Sequence, residues 1–405
     1  MNIGIVTAWC DVGAGMVSRA YRDVLQTKHN VFIYVRGGLQ PRDDPNWQAP
    51  NVTWGRQFRR GITRVALKEF HRWAVQHKLD VILFNEQWNF IPVVYARRHL
   101  DVALGTYVDY YKANTVAFFD LYDFLLCNTR RHHSVFQHHP HAVYIPWGTD
   151  CELFNGSCEC VQQGSVVFFL SAGGNPVRKG AETAILGFKL LRGNCRFVLH
   201  LQRDLSSFPT LELLCRDDPR IQVVVRNVPP PGLYHHGDVY VYPSILDGIG
   251  LTIPEAMACG LPVITTDCAP MNEFVQNGVN GRLVQPYEYR TRPDGYYWPE
   301  SYCRPEDVAE AMQHYVDHLD HLGEFKKQSR EYARTHHDWF KNALALPEMM
   351  NGFSPSQIER QRQTELEWQA LDDSYLPPMR RNFRDVLRLM NAHHGHLADW
   401  LLYSR

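Results

Sequence analysis

The stretch Val239 to Val284 reads VYVYPSILDGIGLTIPEAMACGLPVITTDCAPMNEFVQNGVNGRLV. Its apolar opening, Val239 to Tyr242, stops at Pro243, the pattern of a short buried strand. Gly248 and Gly250 predict a tight turn whose backbone can come close to a ligand. Thr252 is expected to cap a helix, with Pro254 in the first turn and Glu255, Ala256, Met257 and Ala258 as good helix formers. Gly260 ends that helix, Pro262 follows it, and Val263-Ile264 begin the next strand. A helix start behind a glycine turn, at the C-terminal end of a parallel strand, suits an anion. Asp247 and Glu255, with seven residues between them, flank that turn and could accept hydrogen bonds from sugar hydroxyls. The same spacing also fits an ordinary strand–turn–helix unit with two solvated acids.

The wording of this stretch closely resembles the donor-binding signature of the retaining glycosyltransferases of family 4, which have the GT-B fold. The matching residues are Pro243-Ser244, Gly248-Ile249-Gly250, Glu255, and the run from Ala256 through Gly260 to Ile264. Glu273 and Asn280-Gly281 match the family's later Glu and Asn-Gly turn. Asp247 stands where the family usually has Glu, which shortens the reach to a donor sugar, and Ile249 where it usually has Phe.

Working outward, Val166 to Leu170 reads as a strand followed by Ser171-Ala172-Gly173-Gly174-Asn175-Pro176-Val177-Arg178-Lys179-Gly180 and a helix from Ala181. Two cations beside flexible glycines suit a diphosphate leaving group; a solvated Arg-Lys pair is the plainer reading. The resemblance places the family's phosphate-binding cations in this loop, with Lys179-Gly180 the closer match. Arg226-Asn227-Val228 follows the strand at Ile221 to Val225, where family members often hold the nucleotide base.

The N-terminal part has the same grammar. Ile3 to Ala8 is an apolar run before Asp11-Val12-Gly13-Ala14-Gly15 and a helix from about Met16. The third glycine of a dinucleotide fingerprint is missing, so Gly13 and Gly15 form only a weak motif. Their resemblance is to the GT-B loop beneath the donor phosphates and beside the acceptor. Strands are predicted at Val31 to Val35, Val81 to Phe84, Asp101 to Val108 and Phe124 to Cys127, with polar residues collecting after their ends. Asp109 occupies the place of the family's His-Asp pair, with Val108 in place of the His, and is the first acceptor-side candidate. Glu86, a carboxylate at a strand end, is the second. Pro146, Gly148, Asp150 and Phe154 resemble the family's interdomain junction.

The bulk numbers fit a large globular enzyme. The 405 residues are 45% apolar and 21% charged, with a formal net charge of −1 that draws the chain neither to nucleic acid nor to membranes. Met1 leads straight into a strand, and no apolar run reaches membrane-spanning length, so neither a signal peptide nor a spanning helix is expected. The ten cysteines are scattered, with only Cys158 and Cys160 close, as in a cytosolic protein with buried thiols. The run Arg131 to His141 is rich in histidine but lacks metal-ligand spacing and reads as a polar helix face and loop. Gln285 to Arg304 reads as an aromatic-rich loop that either packs over the domain edge or stacks on a sugar or partner. From Pro355 onward, Phe383, Val386, Leu387, Met390, His394, Leu397 and Leu401 share one helical face, with Arg380, Arg381, Arg384 and Arg388 near its start. Docking on the N-terminal domain is the expected role, with a membrane surface or anionic acceptor as the rival.

The resemblance implies an α/β GT-B chain: an acceptor domain over 1–150, a donor domain over 151–335 facing it across a central cleft, and helices over 336–405 packing back on the first domain. It implies a retaining transfer of a sugar from a UDP- or GDP-linked donor to an acceptor hydroxyl, with no metal and no separate cofactor. Glu255 would hold the ribose and Asp247 the sugar hydroxyls. Lys179, Arg178 and the backbone of Gly248, Ile249 and Gly250 would take the diphosphate, with Gly173, Gly174, Asn227, Ser244, Leu251 and Thr252 completing the donor side. The same architecture also serves nucleotide-sugar epimerases and phosphorylases, and could serve an idle sugar-nucleotide sensor. A cytoplasmic protein, peripheral to a membrane at most, is expected.

Overall fold

A computed structural model describes residues 1–38, 42–58, 63–156, 159, 162–355, 365–367 and 369–370. Cys158, Cys160 and the basic helix predicted over 380–401 lie outside the described residues. The chain forms two compact units. The first takes in the described residues of Met1–Leu126, Phe136–Val143 and Leu346–Arg405, and the second Cys127–Val135 and Tyr144–Ala345.

The first unit begins with β1 (Asn2–Thr7), α1 (Gly13–Leu25), β2 (Asn30–Val35), β3 (Val52–Trp54), α2 (Leu67–Gln76), β4 (Val81–Asn85), α3 (Ile91–His99) and β5 (Ala103–Val108). Then come β6 (Phe124–Cys127) and β7 (Ala142–Tyr144), while α4 (Arg130–Phe136) between them belongs, up to Val135, to the second unit. The sheet order is β3-β2-β1-β4-β5-β6-β7, and β1 pairs in parallel with both β2 and β4. The order turns back at β1, where α/β sheets carry their ligand crevice. Every residue of β4 and β5 is buried, which explains why both read as unbroken apolar runs. Gly15 lets α1 start hard against the preceding loop: a Cβ there would lie 2.1 Å from the Cys10 carbonyl oxygen. At the end of β4, the Asn85 side chain donates to the Ala14 carbonyl at 2.7 Å and to Ser18 Oγ at 2.9 Å, tying that loop to the sheet.

The second unit runs β8 (Val166–Gly173), α5 (Ala181–Lys189), β9 (Cys195–Leu201), α6 (Pro209–Arg216), β10 (Ile221–Val225), β11 (Val239–Tyr242), α7 (Thr252–Ala258), β12 (Val263–Thr266) and β13 (Gly281–Val284). Its parallel sheet has the order β10-β9-β8-β11-β12-β13, so β8 and β11 are neighbours and their C-terminal loops emerge side by side. The aromatic stretch expected as a loop contains a short antiparallel hairpin, β14 (Glu288–Arg290) with β15 (Glu300–Tyr302). The Ser301 amide donates to the Ile245 carbonyl at 2.8 Å, so the hairpin braces the loop after β11. Helices α8 (Pro305–Asp317), α9 (Leu322–His336) and α10 (Trp339–Asn342) close this unit. Helix α11 (Leu346–Met350) belongs to the first unit; there Lys28 pairs with Glu348, and Phe353 stacks on Phe124 with ring centroids 3.9 Å apart.

Candidate functional site

The loops after β8 and β11 bring the two halves of the predicted motif together. Lys179 Nζ lies 2.6 Å from Asp247 Oδ2, and Arg178 Nη1 lies 3.3 Å from Asp247 Oδ1. Tyr242, the last residue of β11, donates its hydroxyl to Asp247 and also meets Lys179 Nζ. The Gly248 amide donates to Asp247 Oδ1 at 3.0 Å. Burial would raise the Asp247 pKa, but Lys179 and Arg178 outweigh it and hold the carboxylate well below its ordinary range. Burial pulls Lys179 the other way, downward, and Asp247 opposes that, so each ion keeps the other charged.

Two glycine-dependent turns make this meeting work. Gly180 has φ +71°, and a Cβ there would sit 2.0 Å from the Pro243 carbonyl oxygen, so only glycine lets the Lys179 loop lie on the start of the Asp247 loop. Gly250 has φ +91° and turns the chain into α7. That turn corrects one expectation. Thr252 does not cap the helix: Leu251 holds the cap position with helical φ and ψ, no side chain caps it, and Thr252 is the first helical residue.

Glu255, on α7, accepts from the Tyr234 hydroxyl at 2.6 Å. Burial pushes its carboxyl up to about 7, with Tyr234 and Lys179 opposing the shift. A raised carboxyl means that the folded state holds the Glu255 proton more tightly than the unfolded chain does. Its contribution to stability is therefore complete below about 4.5 and is lost as the pH rises towards 7. The uncharged Glu255→Gln variant escapes that loss. Its melting temperature, relative to wild type, is expected to climb between pH 5 and pH 7; a constant difference across that range in scanning calorimetry would refute the assignment.

Other predicted residues fall around this centre. Ser244 is fully buried, and its Oγ donates within the loops, to the carbonyls of Arg178 and Leu246, each at 3.1 Å. Ile249 is buried, Gly174 and Asn227 are exposed, and Gly173 has φ +58°. A Cβ at Gly173 or Gly174 would come no closer than 3.4 Å to any neighbour, so space rather than packing surrounds them. Glu86, Asp109, Gly13 and Gly15 belong to the first unit. Glu86 and Asp109 follow the neighbouring strands β4 and β5.

The histidine-rich run is a polar surface only in part: Ser134, Gln137, His138 and His141 are exposed, but its start is not. Arg131 and His132 are buried, and they hold the carbonyls of the Asp247 loop. The Arg131 guanidinium donates to the Asp247 and Ala269 carbonyls and stacks on Trp298, 5.2 Å from the ring centroid. His132 Nε2–H donates to the Gly248 carbonyl at 2.9 Å; burial, reinforced by Arg131, lowers its pKa to about 3 and keeps it neutral. With the Gly248 carbonyl drawn towards α4, the trans peptide turns the Ile249 amide the opposite way. Glu273, the family's later Glu, accepts the amides of Arg130 and Arg131 at 2.6 and 2.9 Å and so fixes the start of α4. The backbone partners of Arg131 and His132 leave no side-chain signature in the sequence. Tyr234 and Tyr242 were equally invisible as site residues, since Tyr242 is hidden in an apolar run and nothing around Tyr234 shows that its phenol turns to a carboxylate 21 positions on. Among the described residues, no group of three His, Cys, Asp or Glu could hold a metal ion, and no helix is long and apolar enough to cross a membrane.

Comparison with known proteins converges on this unit. Residues 164–292 match the family model for glycosyl transferases group 1. A stretch of 48 residues is 46% identical to sucrose synthase of Melioribacter roseus, covering 12% of this chain and 6% of that one. A longer stretch of 138 residues is 30% identical to D-inositol 3-phosphate glycosyltransferase of Rhodococcus erythropolis, covering 32% of this chain and 27% of the relative. The matched regions thus span less than a third of either curated relative. Over the whole fold, the chain resembles sucrose-phosphate synthase from Thermosynechococcus elongatus, with a TM-score of 0.69 and 16% identity over 87% of this chain and 98% of that one. It also resembles Anabaena HepE, solved in complex with UDP-glucose, with a TM-score of 0.68 and 14% identity over 87% and 100% of the two chains.

Proposed function

We propose that this chain, which has the GT-B fold and whose residues 164–292 match the group 1 glycosyl transferases, transfers a sugar from a nucleoside diphosphate sugar to an acceptor hydroxyl with retention. The observation that carries the reading is the Lys179–Asp247 contact at 2.6 Å, beside Arg178 and near enough to Glu255 for its charge to act on Lys179. A diphosphate offers Lys179 and Arg178 a stronger anion than the single carboxylate they now share, and the developing charge on the departing phosphate is met without a metal. Lys179, released in part from Asp247, then faces phosphate, while Asp247 accepts from hydroxyls of the transferred sugar. Glu255 accepts from the ribose. Tyr234 orients its carboxylate by donating to one oxygen, which leaves the other for the nucleotide.

Arg131, His132 and Glu273 act as positioning residues in this scheme, because they touch the Asp247 loop only through its backbone or through α4. HepE is recorded with UDP-glucose, which favours a UDP-linked donor as the first to test. Titration calorimetry with UDP-glucose and GDP-mannose, followed by proton NMR of the product's anomeric centre, tests the proposal. Binding of one donor and a product with the donor's anomeric configuration is the expected result. Inverted configuration would overturn retention, an epimerised donor would favour the epimerase, and tight binding without turnover across acceptors would favour a sensor.

A further inference from the structure

We propose that Trp88 and Tyr110 form a saccharide platform in the first unit, so that the acceptor is a neutral pyranose; its role as acceptor rests on the transfer reaction proposed above, but its binding does not. The platform stands on a turn that the fold goes to some length to hold. Glu86, immediately after β4, has φ +45°, a left-handed backbone that residues with a Cβ rarely adopt and that concentrates at functional sites. Buried Arg36 locks it, donating to the Glu86 carbonyl at 2.8 Å and to Gln87 Oε1 at 3.1 Å. Gln87 Nε2 in turn donates to the carbonyls of Thr63 at 2.7 Å and Asn89 at 2.6 Å. Asn89 Oδ1 accepts the Ile91 amide at 2.9 Å and starts α3.

The outcome of this bracing is one side chain. Asn85, Gln87 and Phe90 are buried, whereas Trp88 is 42% exposed. A large indole held outwards by a rigid, strained turn is not accounted for by packing. Strand β5 runs beside β4 with Tyr107 opposite Asn85, so the segment after it emerges next to this turn. It supplies Tyr110, whose ring centroid lies 4.8 Å from that of Trp88, with the planes 42° apart. The same two strand ends supply the half-buried carboxylates of Glu86 and Asp109.

Paired aromatic rings at the C-terminal ends of neighbouring parallel strands, on loops that also carry Glu86 and Asp109, define the ligand class. The C–H face of a pyranose packs on an electron-rich ring, and its hydroxyls donate to carboxylates. The two loop segments, 86–90 and 109–111, carry two acids and no base, which favours a neutral saccharide over a phosphate. The plain alternative, a contact for another protein, would use the rings without the acids.

Saturation-transfer NMR on the full chain tests this with the methyl glycosides of glucose, galactose and mannose, and with AMP as an aromatic, anionic comparison. At least one glycoside is expected to receive saturation on its ring protons, and the effect should fall about tenfold or more in Trp88→Ala. Tyr110→Ala, a second and independent variant, should also weaken it, while Trp88→Phe should retain part of it. UDP binding, followed in parallel by calorimetry, should be unchanged in all three variants. Saturation of no glycoside, undiminished saturation in Trp88→Ala, or preferential saturation of AMP that disappears in Trp88→Ala would each overturn the platform. Because the glycosides are tested without donor, a chain that binds sugars but consumes no donor would sink the transfer reaction and leave the platform standing, and the reverse result would do the opposite.

Discussion

Replacing Lys179 with alanine is expected to lower the rate of donor consumption by about a hundred- to a thousand-fold, the usual effect of removing one preorganised group that faces developing charge. The loss should appear in kcat more than in KM, because the charge on the leaving diphosphate grows between bound donor and transition state. The geometry also says why the fold should survive. Asp247 would keep Arg178 at 3.3 Å, the Tyr242 hydroxyl and the Gly248 amide at 3.0 Å, so the buried carboxylate is not stranded. Only its pKa should climb, since Lys179 is the largest of the influences lowering it. Steady-state rates set beside denaturant unfolding of the same variant separate the two effects. A rate within tenfold of wild type, with the fold intact, would remove Lys179 from the mechanism and with it the main support for a diphosphate at this loop.

The legible part of this site was local. Pro243, Gly248, Gly250 and Glu255 lie on one strand–turn–helix unit, where each residue's conformational need shows in its own neighbourhood. That Lys179 should meet Asp247 was legible one step further on, since loops after neighbouring parallel strands emerge together and β8 lies beside β11. The ion pair itself was not. It needs Gly180 in a left-handed conformation against the Pro243 carbonyl, a contact between residues distant in sequence. Thr252 misled because a residue that suits a cap does not have to serve as one, and the helix starts one residue earlier, behind Leu251; the φ of Gly250 decides where the helix starts, and a sequence shows that a glycine can turn but not where it does. Arg131 and His132 mark the firmer limit. Their partners are the carbonyls of Asp247 and Gly248, more than a hundred positions away, and a backbone carbonyl looks the same beneath every side chain. Glu86 shows the converse: its left-handed φ is imposed by Arg36 from β2's end, so nothing in the local wording announces it.

Substituting Lys326 by methionine is expected to destabilise the second unit by about 3–5 kcal/mol, because it strips the counter-ion from a carboxylate that has no access to water. Lys326, on α9, places Nζ 3.0 Å from Asp238 Oδ1, with side-chain exposures of 1% and 0%. Lys326 also donates to the Glu159 carbonyl at 2.7 Å, and Asp238 Oδ2 accepts the Val167 amide at 3.0 Å. Asp238 immediately precedes β11 and Val167 lies on β8, so this one cluster pins the starts of the two strands whose far ends carry Lys179 and Asp247. Methionine fills the volume of the lysine stem, which confines the effect to the lost charge rather than to a cavity. For a unit of this size the penalty corresponds to a fall in melting temperature on the order of 10 °C. Adding Asp238→Asn should restore most of it: the amide is uncharged, and its oxygen can still accept from Val167, so no buried charge is left without its lysine. The double variant should therefore be more stable than Lys326→Met alone, a non-additivity that a chemical-denaturation cycle measures directly. If Lys326→Met instead unfolds within 1 kcal/mol of wild type, Asp238 has found another partner or has taken up a proton. The link between α9 and the strands beneath the site would then rest on packing alone.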